Sequence, residues 1–323
     1  WRSLTQWIGG MGIIVLTVAL LPMIGVGGMQ MFVAEAPGIS PDKLKPRIKD
    51  TAIRLWLIYL SLTLAETILL MVGGMSFFDA LNHGLTTMAT GGFSTKNASI
   101  ANETAYIQYI IMIFMFLAGV NFSLTYFGLK GKIKKILENE EFMSYLSIIL
   151  IFSVVTALGI IYFTDESVEQ SFRHAAFQVI SIITTTGYVS EDYTSWALLL
   201  TVFFFFFMFI GGSAGSTAGG VKIIRHVVLM KNSVLEMKRL LHPNAIIPVR
   251  LNNKAISPQV TYHVLAFIMI YITVFVLSSF AVAFTGLDFE TTLSAVATSL
   301  GNIGPGLGDV GPMSNFSGLP DVT

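Results

Sequence analysis

The chain has 323 residues, 54% hydrophobic and 12% charged, with 19 basic and 19 acidic side chains and no cysteine. Its charge content is about half of the roughly 25% usual in a soluble domain, and with a mean hydropathy of +0.72 this excludes a soluble globular protein in favour of an integral membrane one. The absence of cysteine excludes disulfides, thiolate catalysis and Cys-ligated zinc or iron–sulfur centres from this stretch; the zero net charge says nothing by itself about a nucleic-acid or acidic partner, and no nucleic-acid partner is expected.

Apolar runs close to or beyond the about 18 residues needed to cross a bilayer lie at 13–24 (starting near Trp7), 53–75, 106–129, 145–163, 196–224 and 260–284. Six spans are expected. Between the members of two successive pairs, and again after the last span, stands a short Thr-rich amphipathic segment, too short to cross and ending in a glycine turn: 77–90, 168–185 and 288–300. Placing Gly92, Gly187 and Gly304 in register gives spacings that suit a unit of two helices and a half-helix. Residues 51–143 and 144–256 then form two intact units. Residues 257–323 hold a first helix and half-helix, and residues 1–50 hold the second helix of an earlier unit with its linker. The natural parent is expected to have four units, and the chain reads as a fragment of it. It begins Trp1-Arg2-Ser3, with no basic stretch and cleavable signal at its start.

Sixteen of the 19 basic residues fall in 25–54, 130–141 and 222–254, the stretches that join one unit to the next. By the positive-inside rule these are cytoplasmic and the glycine turns face outward. Asp79, Glu103, Asp165, Glu166, Glu169, Glu191, Asp192, Asp288 and Glu290 gather around the half-helices, forming an acidic mouth that attracts cations. Each half-helix carries hydroxyls before its turn: Thr86, Thr87 and Thr90; Ser181, Thr184, Thr185 and Thr186; Thr298 and Ser299. Its carboxyl end, the negative end of its dipole, points at the turn. Glycine lets successive carbonyls line a path, and unwound backbone at membrane depth is tolerated only where it is buried or lines water. These features point to cation permeation. The alternative reading of a single turn is ordinary Thr/Gly loop chemistry.

Trp1-Arg2-Ser3-Leu4-Thr5-Gln6-Trp7-Ile8-Gly9-Gly10-Met11-Gly12, Ala89-Thr90-Gly91-Gly92-Phe93-Ser94, Thr184-Thr185-Thr186-Gly187-Tyr188 and Gly301-Asn302-Ile303-Gly304-Pro305-Gly306 together resemble the Trk/Ktr/HKT superfamily of cation-uptake proteins. The likeness covers essentially the whole chain. It implies an all-α integral membrane fold of helix–pore loop–helix units around a potassium-channel-like pseudo-fourfold pore, in the bacterial cytoplasmic membrane, with two protomers side by side. It also implies no enzyme activity and no cofactor, with potassium as the substrate. The filter residues it implies are Thr90, Gly91 and Gly92; Thr185, Thr186 and Gly187; and Asn302, Ile303 and Gly304, with carbonyls replacing water around the ion. The remaining implied partners are the lipid bilayer and a cytosolic nucleotide-binding regulatory ring docked on the basic surfaces.

The run Gly211-Gly212-Ser213-Ala214-Gly215-Ser216-Thr217-Ala218-Gly219-Gly220 breaks helix propensity inside an apolar span. The resemblance implies an intramembrane gating loop, with Gly211, Gly212, Ser213, Gly215, Ser216, Gly219 and Gly220 as its mobile residues. Two other readings stand beside it: a helix-packing stripe of Gly211, Gly215 and Gly219, and a G-x-S-x-G nucleophile elbow on Ser213, which needs a strand before it and a helix after it. A sodium- or proton-coupled symporter is the alternative within transport.

Among single residues, Glu66 is a carboxylate deep in an apolar span, expected to hydrogen-bond between helices or to couple to ions. Arg173 is expected to pair with an acid at the mouth or to be solvated there. Asn121 is expected within a helix near its cytoplasmic end, and Lys222 just after the glycine run, both near a vestibule. The five histidines, His83, His174, His226, His242 and His263, show no metal-ligand spacing.

Overall fold

In the computed structural model, residues 1–12, 48–242, 247–314 and 316–320 are described. Among the described residues the regular structure is helical apart from one small hairpin. Helix α1 (Arg2–Trp7) runs into a π-helical turn at Ile8–Gly12, so this helix begins before the expected Trp7; the remainder of the first expected span lies outside the described residues. The next elements are α2 (Ile48–Val72), α3 (Phe77–Met88), α4 (Ala105–Ala118), α5 (Phe122–Leu129), α6 (Ile133–Leu137), α7 (Glu140–Phe163) and α8 (Val168–Ile183). After them come α9 (Leu198–Phe207), α10 (Ile223–Leu241), the hairpin β1 (Arg250–Leu251) and β2 (Lys254–Ala255), α11 (Pro258–Ala283) and α12 (Phe289–Gly301).

Among the described residues three helical stretches are long and apolar enough to span, Ile53–Val72, Glu140–Phe163 and Pro258–Ala283, with mean hydropathies of 2.0, 2.5 and 2.4. Large side chains such as Leu57, Ile68, Leu158, Ile270 and Phe280 remain exposed on them, as a helix solvated by lipid requires. Two expected spans are broken. Residues 106–129 become α4 and α5, bent by 110°, and 196–224 becomes the ten-residue α9 followed by irregular chain up to Lys222. Hydropathy runs on through both breaks because a buried loop in a membrane protein is as apolar as a helix.

The half-helices form as expected. At 1.5 Å per residue, α3, α8 and α12, with 12, 16 and 13 residues, fall well short of the roughly 30 Å hydrocarbon core. Each starts on a side-chain cap: Ser76 accepts from the Asp79 N–H, Ser167 forms a capping box with Gln170, and Asp288 accepts from the Thr291 N–H. Helix α3 packs between α1 and α2, α8 against α7 and α4, and α12 against α11.

The hairpin was not foreseen. Asn252 and Asn253, with φ of 49° and 62°, make the two-residue turn that asparagine favours, and Asn252 Oδ1 accepts from the Glu140 N–H at 2.8 Å. Lys231 on α10 reaches both Glu140 (2.6 Å) and the Arg250 carbonyl (3.0 Å), tying the hairpin to α7 and α10.

Candidate ion path: three matched turns and the loop beneath them

The three half-helices end in the same hydrogen-bond pattern. Gly91 N–H donates to Thr86 O (2.7 Å), Thr186 N–H to Ser181 O (2.9 Å) and Ile303 N–H to Thr298 O (2.9 Å). These are the wide bonds of a Schellman ending, which requires a left-handed residue just past the helix. That residue is Thr90 (φ 50°), Thr185 (φ 56°) and Asn302 (φ 57°). Asparagine tolerates the conformation, but a β-branched threonine is a genuine outlier there, so two of the three turns hold strain that the surrounding bonds must offset. Two residues later φ is positive again, at Gly92 (63°), Gly187 (81°) and Gly304 (107°).

A second threefold match lies in the side chains. Thr86 Oγ1 donates to Phe93 O (3.0 Å), Ser181 Oγ to Tyr188 O (2.6 Å) and Thr298 Oγ1 to Pro305 O (3.0 Å). In each unit a hydroxyl four residues before the left-handed position pins the carbonyl three residues after it. That carbonyl is turned back onto its helix and the triplet between is fixed as a short, non-helical strand.

The turns touch one another through these triplets. A β-carbon on Gly92 would stand 1.8 Å from Thr186 O, and one on Gly187 would stand 1.8 Å from Ile303 O. Only glycine permits either approach. Behind the contact, the Tyr188 hydroxyl lies 2.5 Å from Thr86 Oγ1, bolting the second turn to the first half-helix, and Tyr193 donates to Gly306 O (2.7 Å), bolting it to the third. The carboxyl ends of three helices therefore meet, and their dipoles place negative potential at the meeting point.

The irregular chain after α9 lies against the same triplets. Thr90 Oγ1 donates to Thr217 O (2.9 Å), the Gly219 N–H donates to Thr185 Oγ1 (2.6 Å), and a β-carbon on Gly219 would lie 2.7 Å from Gly301 O. Gly211, Gly215 and Gly220 all have positive φ, so the segment is not helical and the glycine stripe at four-residue spacing does not exist. The nucleophile elbow also fails: no strand precedes Gly211, and Ser213 Oγ is buried with no hydrogen-bond partner. Gly212 is held by Ile223 N–H donating to its carbonyl (3.0 Å), and Ser216 Oγ donates to Ser213 O (2.5 Å).

Other residues depart from expectation. Asn121 is not inside a helix; it sits at the break between α4 and α5 and caps α5 through the Ser123 N–H (2.8 Å). Arg173 is buried rather than solvated, held by Glu169 (Nε to Oε1, 2.9 Å) and by Gln108 on α4. Glu66 is completely buried beside Thr87 of α3, with neither oxygen in a hydrogen bond of ordinary geometry. Lys222 is buried with φ 73°, and its ammonium donates to Ala218 O. Several carboxylates of the acidic mouth are engaged locally: Glu103 with Lys96, Glu169 with Arg173, Asp192 with the Thr194 N–H and hydroxyl, and Asp288 as a helix cap. Bonds from Thr291, its largest cause, hold the Asp288 carboxyl below its usual value, and those from Thr95 and then Ser76 do the same for Asp79.

The TrkH family model, described as a cation transport protein, matches residues 1–322. The Trk system potassium uptake protein TrkH of Salmonella typhimurium is 41% identical over 327 residues, covering 100% of this chain and 67% of its own length. The Trk system potassium uptake protein TrkG of Escherichia coli is 35% identical, with 100% and 67% covered. The crystal structure of the potassium transporter TrkH from Vibrio parahaemolyticus superposes with a TM-score of 0.82 at 38% identity, covering 96% of this chain and 64% of that one. The chain thus spans about two thirds of the length of these relatives.

Proposed function

The chain belongs to the TrkH family of cation transport proteins, which are transporters and not enzymes, and from that membership we propose that it is part of the potassium-conducting subunit of a Trk-type uptake system. Residues 1–50, 51–143, 144–256 and 257–323 are then the second helix of one repeat with its linker, two complete repeats, and the first helix and pore loop of another. The triplets Thr90-Gly91-Gly92, Thr185-Thr186-Gly187 and Asn302-Ile303-Gly304 supply the filter carbonyls, and potassium exchanges its water for them as cargo. The segment 211–220 is the gate beneath the filter. The turns face outward and the basic linkers lie in the cytoplasm, where a nucleotide-binding regulatory subunit docks, and two protomers pair in the bacterial cytoplasmic membrane.

What supports the filter reading most is the recurrence, in three separate stretches, of one backbone pattern: a left-handed residue, a middle residue outside that region, a glycine at positive φ, and the hydroxyl-to-carbonyl bond around them. Ordinary extracellular loops have no reason to repeat strained threonines in register. The gate reading is supported by the hydrogen bonds that join this segment to the first residue of two triplets, Thr90 Oγ1 donating to Thr217 O and the Gly219 N–H donating to Thr185 Oγ1.

The test is ion flux through the full-length protein carrying Gly92→Ser or Gly187→Ser. Each β-carbon drives against the neighbouring carbonyl, so both variants are expected to lose preference for potassium over sodium. Parental selectivity in both would overturn the filter assignment.

A further inference from the structure

One residue of the 211–220 segment is gripped by both of its backbone groups, which belong to adjacent peptide units. The Ala214 N–H donates to Glu141 Oε1 at 2.6 Å, and the Ala214 carbonyl accepts from Asn121 Nδ2 at 2.7 Å. The two side chains come from different elements, Asn121 from the α4–α5 break and Glu141 from the first turn of α7. Each is also fixed to a helix end. Asn121 Oδ1 caps α5. Glu141 lies at the start of α10, a helix with no side-chain cap of its own, where the nearby Ile224 N–H and Lys222 ammonium both favour its charged form. A carboxylate there satisfies orphan helix donors and complements the dipole.

The neighbouring chain is shaped to this grip. Gly215 has φ 73°, and a β-carbon on it would stand 2.9 Å from Asn121 Nδ2. On either side of Ala214, the Ser213 N–H donates to Gly119 O (2.9 Å) and the Phe122 N–H to Gly215 O (3.1 Å). Glu141 is 2% exposed, so if the loop withdrew, a buried carboxyl group would lose one of its donors.

We propose that Asn121 and Glu141 form a two-sided latch on Ala214 that sets how often the loop leaves the ion path. They are positioning residues for the gate, and the inference rests on reading 211–220 as that gate. Opening must break two hydrogen bonds, one between amides at the Ala214 carbonyl and one to a carboxyl oxygen at the Ala214 N–H. Glu141 also holds the start of α10, so movement of the cytoplasmic helix and release of the loop are one event.

The experiment uses the full-length protein in liposomes, reading rubidium flux, the potassium-to-sodium ratio, and the rate at which Ser216→Cys reacts with a thiol reagent from the cytoplasmic side. Glu141→Ala and Asn121→Ala are each expected to raise flux and labelling about tenfold, the scale of one lost hydrogen bond in a two-state equilibrium, with the ion ratio unchanged. Glu141→Gln, which keeps an oxygen for the Ala214 N–H, is expected to recover most of the closure lost in Glu141→Ala. Parental flux and labelling in both alanine variants, while a loop shortened within 213–218 conducts faster, would overturn the latch and leave the gate standing. If the shortened loop conducts at the parental rate, the gate reading falls and the latch with it. Should the alanine variants fail to fold, Glu141→Asp and Asn121→Ser shorten the reach of each group, and parental labelling in both would equally overturn the latch.

Discussion

Gly91 and Gly92 are adjacent glycines with opposite tolerance for a side chain. A β-carbon on Gly91 meets the amide end of Gln6 at 2.7 Å, a flexible group that can turn away, and its φ is not in the left-handed region; one on Gly92 meets backbone at 1.8 Å with φ 63°. Gly91→Ala is therefore expected to keep most of the potassium flux and selectivity, whereas Gly92→Ala loses selectivity or flux altogether. Comparable behaviour of the two in a tracer uptake assay would show that the close contact does not matter. The importance of Gly92 was legible in the sequence, because glycine recurs at that register in three turns. What separates it from Gly91 was not, since the difference lies in a carbonyl supplied from 94 positions away. Arg173 was half legible for the same reason: its pairing with Glu169 lies within one helix turn and stood among the expected readings, whereas its burial against Gln108 depends on another helix.

At the scale of the element, the half-helices were readable because local rules and global role agree. Ser76, Ser167 and Asp288 mark their starts, an amphipathic stretch follows, and a hydroxyl-glycine turn ends them. The bends were not readable. Asn121 lies in a run that hydropathy continues straight through, and the second bond of its amide goes to the Ala214 carbonyl, 93 positions away. The 196–224 break was half readable, since glycine content announced irregular chain but not that it would bond to Thr90 and Thr185. The hairpin carried an Asn252-Asn253 signal that the membrane pattern overshadowed. Caps give a measurable prediction. Asp288→Ala is expected to cost about 1 kcal/mol, read as a lower thermal midpoint in detergent. Because the folded protein holds this carboxyl below its ordinary 3.8, the parent keeps the contribution above that pH and loses it as pH falls through the depressed value. The deficit of the variant should accordingly be constant near neutrality and shrink in strong acid.

For the whole molecule, the proposed ion site lies where elements of separate units meet, so cargo and fold are linked. An ion bound by triplets from different repeats favours the assembled state by an amount set by its concentration over its dissociation constant, about 2.7 kcal/mol at a hundredfold excess. Potassium is expected to raise the melting temperature of the full-length protein more than sodium does at equal ionic strength, and equal shifts would speak against a selective site among the turns. The contacts between turns also have a direction. Each of the first two turns presents its glycine to the following turn, Gly92 to Thr186 and Gly187 to Ile303, so unlike surfaces meet head to tail, as in a heterologous ring of subunits, here drawn from a single chain. Such an arrangement has a hand. Damage to one turn therefore has an address: an added side chain at Gly92 displaces the carbonyl of the second turn before its own, and the pore deforms in sequence around its axis instead of widening evenly.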